Sequence, residues 1–90
     1  MKSYLVIYQL SLPETSYPNL IAYLKTSPQW ARPCANTWII KTTTGVATIR
    51  DGLRDRTTKS DKVLVTEVAS GNWGTFNVSK EVTDWLKNNL

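Results

Sequence analysis

Apolar residues recur along this chain in runs that are typical of β-strands. The run Ser3–Leu10, SYLVIYQL, is rich in β-branched, aromatic and aliphatic residues and is followed by a break at Pro13, so it predicts a strand. Thr37–Thr42 and Lys62–Val68 predict two further strands of the same kind. Neighbouring side chains in a strand point to opposite faces of its sheet. These three strands carry apolar residues on both faces.

Two other segments have weaker strand signals. Gln29–Cys34 contains Pro33, which restricts a strand to the edge of a sheet because proline has no backbone N–H. We expect this segment to form a short edge hairpin with Thr37–Thr42, joined at Ala35 and Asn36. After the last long strand, Ala69–Gly74 predicts a turn, and Trp73–Phe76 is a candidate for an additional short strand.

Three segments have the apolar spacing of one helical face. The first runs from near Tyr17 to the residue before Pro28, with Ser16 as its predicted N-cap. The second is capped by Thr43 or Thr44 and continues to about Arg56, and the third covers about Val78–Asn88 with Asn77 as its cap. Their predicted core-facing positions are Tyr17, Leu20, Ile21, Leu24, Val46, Ile49, Leu53, Val78, Val82, Trp85 and Leu86.

Gly52 lies inside the second predicted helix. A glycine there costs up to about 1 kcal/mol relative to alanine. This helix should therefore depend on packing for its stability.

The order of these elements predicts an α+β fold, a ferredoxin-like plait (β-α-β-β-α-β) with an additional C-terminal helix, in one domain over residues 1–90. Two helices cover only one face of such a sheet, and the other face is also apolar. A second copy of the chain would cover it, so we expect a homodimer. The alternative is that Trp73, Phe76 and Trp85 close this face within one chain.

Composition removes several kinds of chemistry. The 90 residues include no histidine, which excludes histidine-based acid–base catalysis and most zinc sites. Cys34 is the single cysteine and cannot form an internal disulfide, so we expect a reducing, cytoplasmic location. No apolar run approaches the length of a membrane span. Gly71 and Gly74 match no nucleotide-binding fingerprint, and we predict neither cofactor nor metal.

The predicted strand segments SYLVIYQL, NTWIIKT and DKVLVTEV, in this order and with intervening helices, resemble those of a known family. It is the smaller core subunit of the CRISPR spacer-acquisition complex, together with short bacterial chains labelled SinR-family that end much like DWLKNNL here. The resemblance covers most of the chain. It implies the plait, a two-fold dimer and a basic surface able to meet a nucleic-acid backbone.

The resemblance also implies a metal position at the end of the first strand. Family members typically place an aspartate there to hold a divalent metal between two subunits for phosphodiester cleavage. This chain has Gln9 at the matching position. An amide brings no charge to a hard cation such as magnesium, so we do not expect the family's nuclease activity.

Charged residues supply the remaining candidates. The formal charge is +4, from 11 basic and 7 acidic residues, and an excess of this size is compatible with phosphate contacts. The predicted phosphate-contacting residues are Lys41, Arg50, Arg54, Arg56 and Lys59. Asp51 and Asp55 stand one helical turn apart and could present two carboxylates to a metal, or could be ion-pair partners of the arginines.

These observations support a leading hypothesis and two alternatives. The leading one is a non-catalytic, dimeric binding module that acts through a nucleic-acid or protein partner. The first alternative is a metal-dependent endonuclease with a degenerate site, using Asp51, Asp55 or Glu14 in place of the missing aspartate. The second is a structural partner of another small protein encoded in the same operon.

Overall fold

Four antiparallel strands form one sheet in the computed structural model, which describes residues 1–69 and 72–90. The strands are β1 (Lys2–Gln9), β2 (Gln29–Cys34), β3 (Thr37–Thr42) and β4 (Lys62–Val68). Their order across the sheet is β2-β3-β1-β4. The predicted bounds of β2, β3 and β4 are confirmed, as is the hairpin turn at Ala35 and Asn36. The predicted α+β class is also confirmed.

Three α-helices accompany the sheet: α1 (Pro18–Lys25), α2 (Val46–Arg54) and α3 (Lys80–Asn89). A short 3-10 turn, Glu14–Ser16, precedes α1. Tyr17, and not Ser16, is the N-cap of α1, and Pro18 occupies the first turn, where its missing N–H leaves no helical hydrogen bond unmade. The helices therefore lie where the sequence predicts them, with boundaries that differ by a few residues.

The predicted caps of α2 and α3 are wrong. Gly45 is the N-cap of α2, because the hydroxyl of Thr42 accepts the backbone N–H of Thr44 at 3.2 Å and holds this residue outside the helix. At α3 the cap is Ser79, whose hydroxyl accepts the N–H of Val82 at 3.3 Å. Asn77 instead adopts a left-handed backbone conformation with φ of 59°, which asparagine tolerates better than most residues.

The first face of the sheet carries the core. Alternate residues of β1 and β3 point to this face, and α1 and α2 pack over them. Burying these apolar side chains supplies most of the stabilisation of a small domain. The core residues are Tyr4, Val6, Tyr8, Tyr17, Leu20, Leu24, Trp38, Ile40, Ile49 and Leu53. Val46, predicted to join them, is 46% exposed because it lies in the first turn of α2.

Polar atoms inside this core are paired with one another. The indole Nε1–H of Trp38 donates to the hydroxyl of Tyr8 at 2.9 Å, and this hydroxyl donates to the carbonyl of Ala35 at 3.3 Å. Both side chains are almost fully buried. A polar group buried here without a hydrogen-bond partner would destabilise the folded protein. The pair therefore fixes the end of β1 against the β2–β3 hairpin.

The close approach of α1 to α2 explains why a glycine, a poor helix former, occupies position 52. A methyl group built at Gly52 would lie 2.9 Å from Cε2 of Tyr23 and closer still to the hydroxyl end of the same ring. The ring belongs to α1, and the guanidinium of Arg56 lies 4.3 Å above it. Glycine therefore lets α1 and α2 approach with this tyrosine between them.

The predicted short strand at Trp73–Phe76 is wrong. These four residues are described and belong to no strand, and Phe76 is 87% exposed. A strand needs both a hydrogen-bonded neighbour and a packed face, and this segment lacks them among the described residues. The turn predicted at Ala69–Gly74 includes Ser70 and Gly71, which lie outside the described residues.

The second face of the sheet is only partly covered. The helix α3 packs against β2, burying Leu86 of the helix and Ala31 of the strand. The Lys41 ammonium donates to the carbonyl of Asn89 at 3.1 Å and fixes the end of the helix over β3. Towards the opposite edge, Leu64 of β4 is 55% exposed. In the described ranges 1–69 and 72–90, no helix is long and apolar enough to cross a membrane.

Candidate functional site

The uncovered part of the second face lies on β1 and β4. Ile7 is directly opposite Leu64, and Leu5 is opposite Thr66, so these four side chains form one patch, which we call the open strip. Leu5 and Ile7 are half-buried, whereas Leu64 and Thr66 are exposed. Leu64 is thus the exposed apolar residue of the strip, and it continues the half-buried apolar surface of Leu5 and Ile7; contiguous apolar surface, unlike scattered residues, indicates a contact surface. The open strip is therefore a candidate surface for a partner.

Gln9 lies at one end of the open strip. It is exposed, and its cross-strand neighbour is Lys62. A groove of about 440 Å³ beside them is also lined by Ile7, Asn36 and Leu64. An uncharged amide beside an ammonium group is a poor place for a divalent cation, because the lysine repels it and the amide does not compensate.

Two of the predicted phosphate-contacting residues are paired with acids on α2. Arg50 donates to Asp51 at 2.9 Å, and Arg54 lies 3.4 Å from both Asp51 and Asp55. The hydrogen bond from Arg50 is the largest influence on the Asp51 carboxyl, and together with the charge of Arg54 it holds its pKa below the ordinary range. Surface pairs of this kind are largely solvated. They match the ion-pair interpretation of these residues.

The other members of the predicted set lie in three different settings. Arg56 donates to the carbonyl of Gly52 at 2.9 Å while it stacks on Tyr23. Lys59 is exposed in the loop after α2. Lys41 belongs to the second face, where it contacts the end of α3, and α2 packs over the first face. Arg50 and Arg54 thus lie on α2, and Arg56 and Lys59 follow it in the chain, whereas Lys41 lies on the other face of the sheet.

The carboxylates of the nuclease alternative do not converge. Asp51 and Asp55 pair with arginines on α2, and Glu14, in the 3-10 turn before α1, pairs with Arg32. Within residues 1–69 and 72–90, no group of three or more potential ligands could hold a metal ion. Convergence of these carboxylates in one cleft of a single copy is therefore not met in the part of the chain that the structure describes.

Asp61 is an important residue that the sequence analysis missed. Burial raises its pKa, but hydrogen bonds outweigh this and hold the pKa of the carboxyl far below its usual range. The donors are the N–H of Thr58 at 2.7 Å, the N–H and hydroxyl of Ser11 at 2.7 and 2.8 Å, and the hydroxyl of Tyr17 at 2.9 Å. Only the Thr58 contact is local, so sequence spacing could reveal no more than a turn here.

Comparison of the chain with family models, with curated proteins and with solved structures found no match.

Proposed function

We propose that this chain is a non-catalytic, dimeric binding module of the ferredoxin-like class, related to the CRISPR-associated ferredoxin-like proteins and acting through a partner in the bacterial cytoplasm. The all-antiparallel order β2-β3-β1-β4 supports the plait, as do the positions of α1 after β1 and α2 after β3. The observation that carries the proposal is the open strip, because α3 covers the β2 side of the second face and leaves Leu64 more than half exposed.

Apolar contact makes protein binding the better-supported mode. Leu64 and Phe76 are both more than half exposed, and Trp73 is 37% exposed. Large apolar and aromatic side chains of this kind are typical of the buried centres of protein interfaces. Light scattering over a wide range of concentration should give a mass near twice that of the 10.2 kDa chain. A constant monomer mass would contradict the dimer.

The absence of nuclease activity is tested separately. Purified protein should leave single- and double-stranded RNA and DNA intact in magnesium or manganese, because Gln9 faces Lys62 and the acidic residues pair with arginines. Cleavage that disappeared in a Gln9→Ala variant would refute the non-catalytic assignment.

Nucleic-acid contact by the end of α2 is a second candidate. Arg56 and Lys59 lie close in sequence at this end, and neither forms an ion pair with an acidic residue among the described residues. Binding through them should weaken steeply with salt. In a mobility-shift titration, the double variant Arg56→Gln/Lys59→Gln should bind less tightly and with a shallower salt slope. Lys80→Gln/Lys87→Gln on α3 is the matched control because it also removes two positive charges, and equal loss in both proteins would exclude this surface.

A further inference from the structure

The two edges of the sheet are built differently. At the β2 edge, Pro33 lacks an N–H, and a register shift between Ala31 and Cys34 interrupts the ladder. At the β4 edge, pairing with β1 is unbroken from Val68 to Lys62, and the strand contains neither proline nor glycine. Bulges and prolines are two of the devices by which proteins prevent the addition of another strand to an edge. The β2 edge has both, and β4 has neither, although it carries the charged residues Lys62 and Glu67.

The direction of the backbone groups on β4 follows from the hydrogen bonds of β1. The N–H of Tyr8 donates to the carbonyl of Asn36 at 3.1 Å, so the backbone groups of Tyr8 point towards β3. Those of the next residue, Ile7, then point towards β4 and meet Leu64. Alternation along β4 turns the N–H and C=O groups of every second residue away from the sheet. These residues are Val63, Val65 and Glu67.

The outward groups of β4 have no backbone partner within residues 1–69 and 72–90. Only the hydroxyl of Thr66 approaches one of them, 3.5 Å from the carbonyl of Glu67. Donors and acceptors that alternate in this way along a straight edge match an extended strand. Hydrogen bonding therefore specifies an extended strand as the occupant of this edge.

We propose that the outer edge of β4 pairs antiparallel with β4 of a second copy, about a two-fold axis at Val65. The inference rests on the proposed dimer and names its interface. In this register Val65 is opposite itself, and Val63 is opposite Glu67 of the second copy, so every outward N–H and C=O of both strands is used. A shift of two residues in either direction leaves one outward residue of each strand unpaired.

Side chains favour the same register. Lys62 and Glu67 lie near opposite ends of β4, so antiparallel pairing about Val65 places no like charges opposite each other. The two-residue shift that centres the axis on Leu64 would bring Asp61 opposite Glu67, which repels. On the second face, Leu64 is opposite Thr66 of the second copy, and the two leucines are diagonal neighbours roughly 7–8 Å apart. The open strips of the two copies then form one continuous surface, which edge pairing does not cover and which stays available to the partner of the proposed function.

The first experiment removes an edge donor without changing the rest of the fold. Glu67→Pro deletes an outward N–H that makes no bond to β1, and Glu67→Ala is the matched control because it removes the same side chain and keeps the N–H. Among residues 1–69 and 72–90, the Glu67 side chain makes only an exposed pair with Lys2 at 3.5 Å, so both variants should fold. The dimer dissociation constant of Glu67→Pro should exceed that of Glu67→Ala by about ten-fold or more, since two interfacial hydrogen bonds are lost.

The second experiment measures the register directly. Spin labels are attached at Lys62→Cys in a Cys34→Ser background, because Cys34 is exposed and would also be labelled. In the proposed register the two labelled positions are separated by six residues along the strands, roughly 20 Å between backbone atoms. A dipolar distance near this value supports the pairing. A clearly longer or shorter distance overturns it, even if the proline variant proves too unstable to compare.

The outcomes separate this interface from the dimer itself. If the unmodified chain is a monomer at all concentrations, the proposed dimer and its interface both fail. If it is a dimer that Glu67→Pro and Glu67→Ala weaken equally, the dimer stands and the β4 edge is wrong. Leu64→Lys tests the alternative in which the two open strips pack face to face. Loss of the dimer in Leu64→Lys with full retention in Glu67→Pro would place the interface on the face and overturn the edge pairing.

Discussion

A double-mutant cycle between Gly52 and Tyr23 tests how α1 and α2 pack. Alanine is the better helix former by about 1 kcal/mol, so Gly52→Ala in an open helix would stabilise the protein. Here the added methyl group would overlap the ring of Tyr23, which must move away from its position beneath Arg56. Displacing a packed side chain in this way costs about 1–3 kcal/mol. We therefore expect Gly52→Ala to destabilise the protein by roughly 1 kcal/mol.

Removing the ring should reverse the sign of the effect. Tyr23→Ala takes away the obstacle, and in this background Gly52→Ala should stabilise the protein by up to about 1 kcal/mol, since only the helix propensity remains. The coupling energy between the two positions is then about 1–3 kcal/mol. A change of 1 kcal/mol corresponds to roughly 4–8 °C in Tm for a domain of this size.

Tryptophan fluorescence during urea unfolding gives all four free energies of this cycle. The measurements must share one protein concentration, because association stabilises a folded dimer. Arg56→Ala is a useful control, since it removes the cation above the ring and leaves the overlap in place. If Gly52→Ala stabilises the unchanged protein as much as the Tyr23→Ala protein, the close approach of the helices is refuted.

Two further predictions concern buried and anchored polar groups. Tyr8→Phe leaves the indole N–H of Trp38 buried without its acceptor, and thermal unfolding should show a loss of about 1–3 kcal/mol, whereas unchanged stability would refute the importance of this pair. The folded-state pKa of Asp61 is lowered, so its ionised form stabilises the fold above the ordinary aspartate pKa of about 3.9, and this stabilisation is lost as the pH falls below that value. Unfolding midpoints measured from neutral to acid pH should therefore fall less steeply in Asp61→Asn, and parallel curves for the two proteins would contradict the anchoring role.

Local pattern determined much of this fold. The bounds of β3 and β4 and the turn at Ala35–Asn36 follow from alternation and turn chemistry within a few residues. The excess of apolar surface on the second face was also predicted, because apolar residues at consecutive positions of a strand place apolar side chains on both faces of its sheet. Which part of this face stays open was decided by α3, which packs against β2 and leaves Leu64 exposed.

The candidate site depended on contacts between distant parts of the chain. The sequence grouped Lys41 with the arginines of α2 by charge alone, but the sheet lies between them because β3 presents Lys41 on the face opposite to α2. It gave Asp61 no role, because Ser11 and Tyr17 are far away in sequence. The periodicity of apolar residues shows which face of a helix or strand a residue occupies. Which residues contact that face is decided only when the helices and strands pack together.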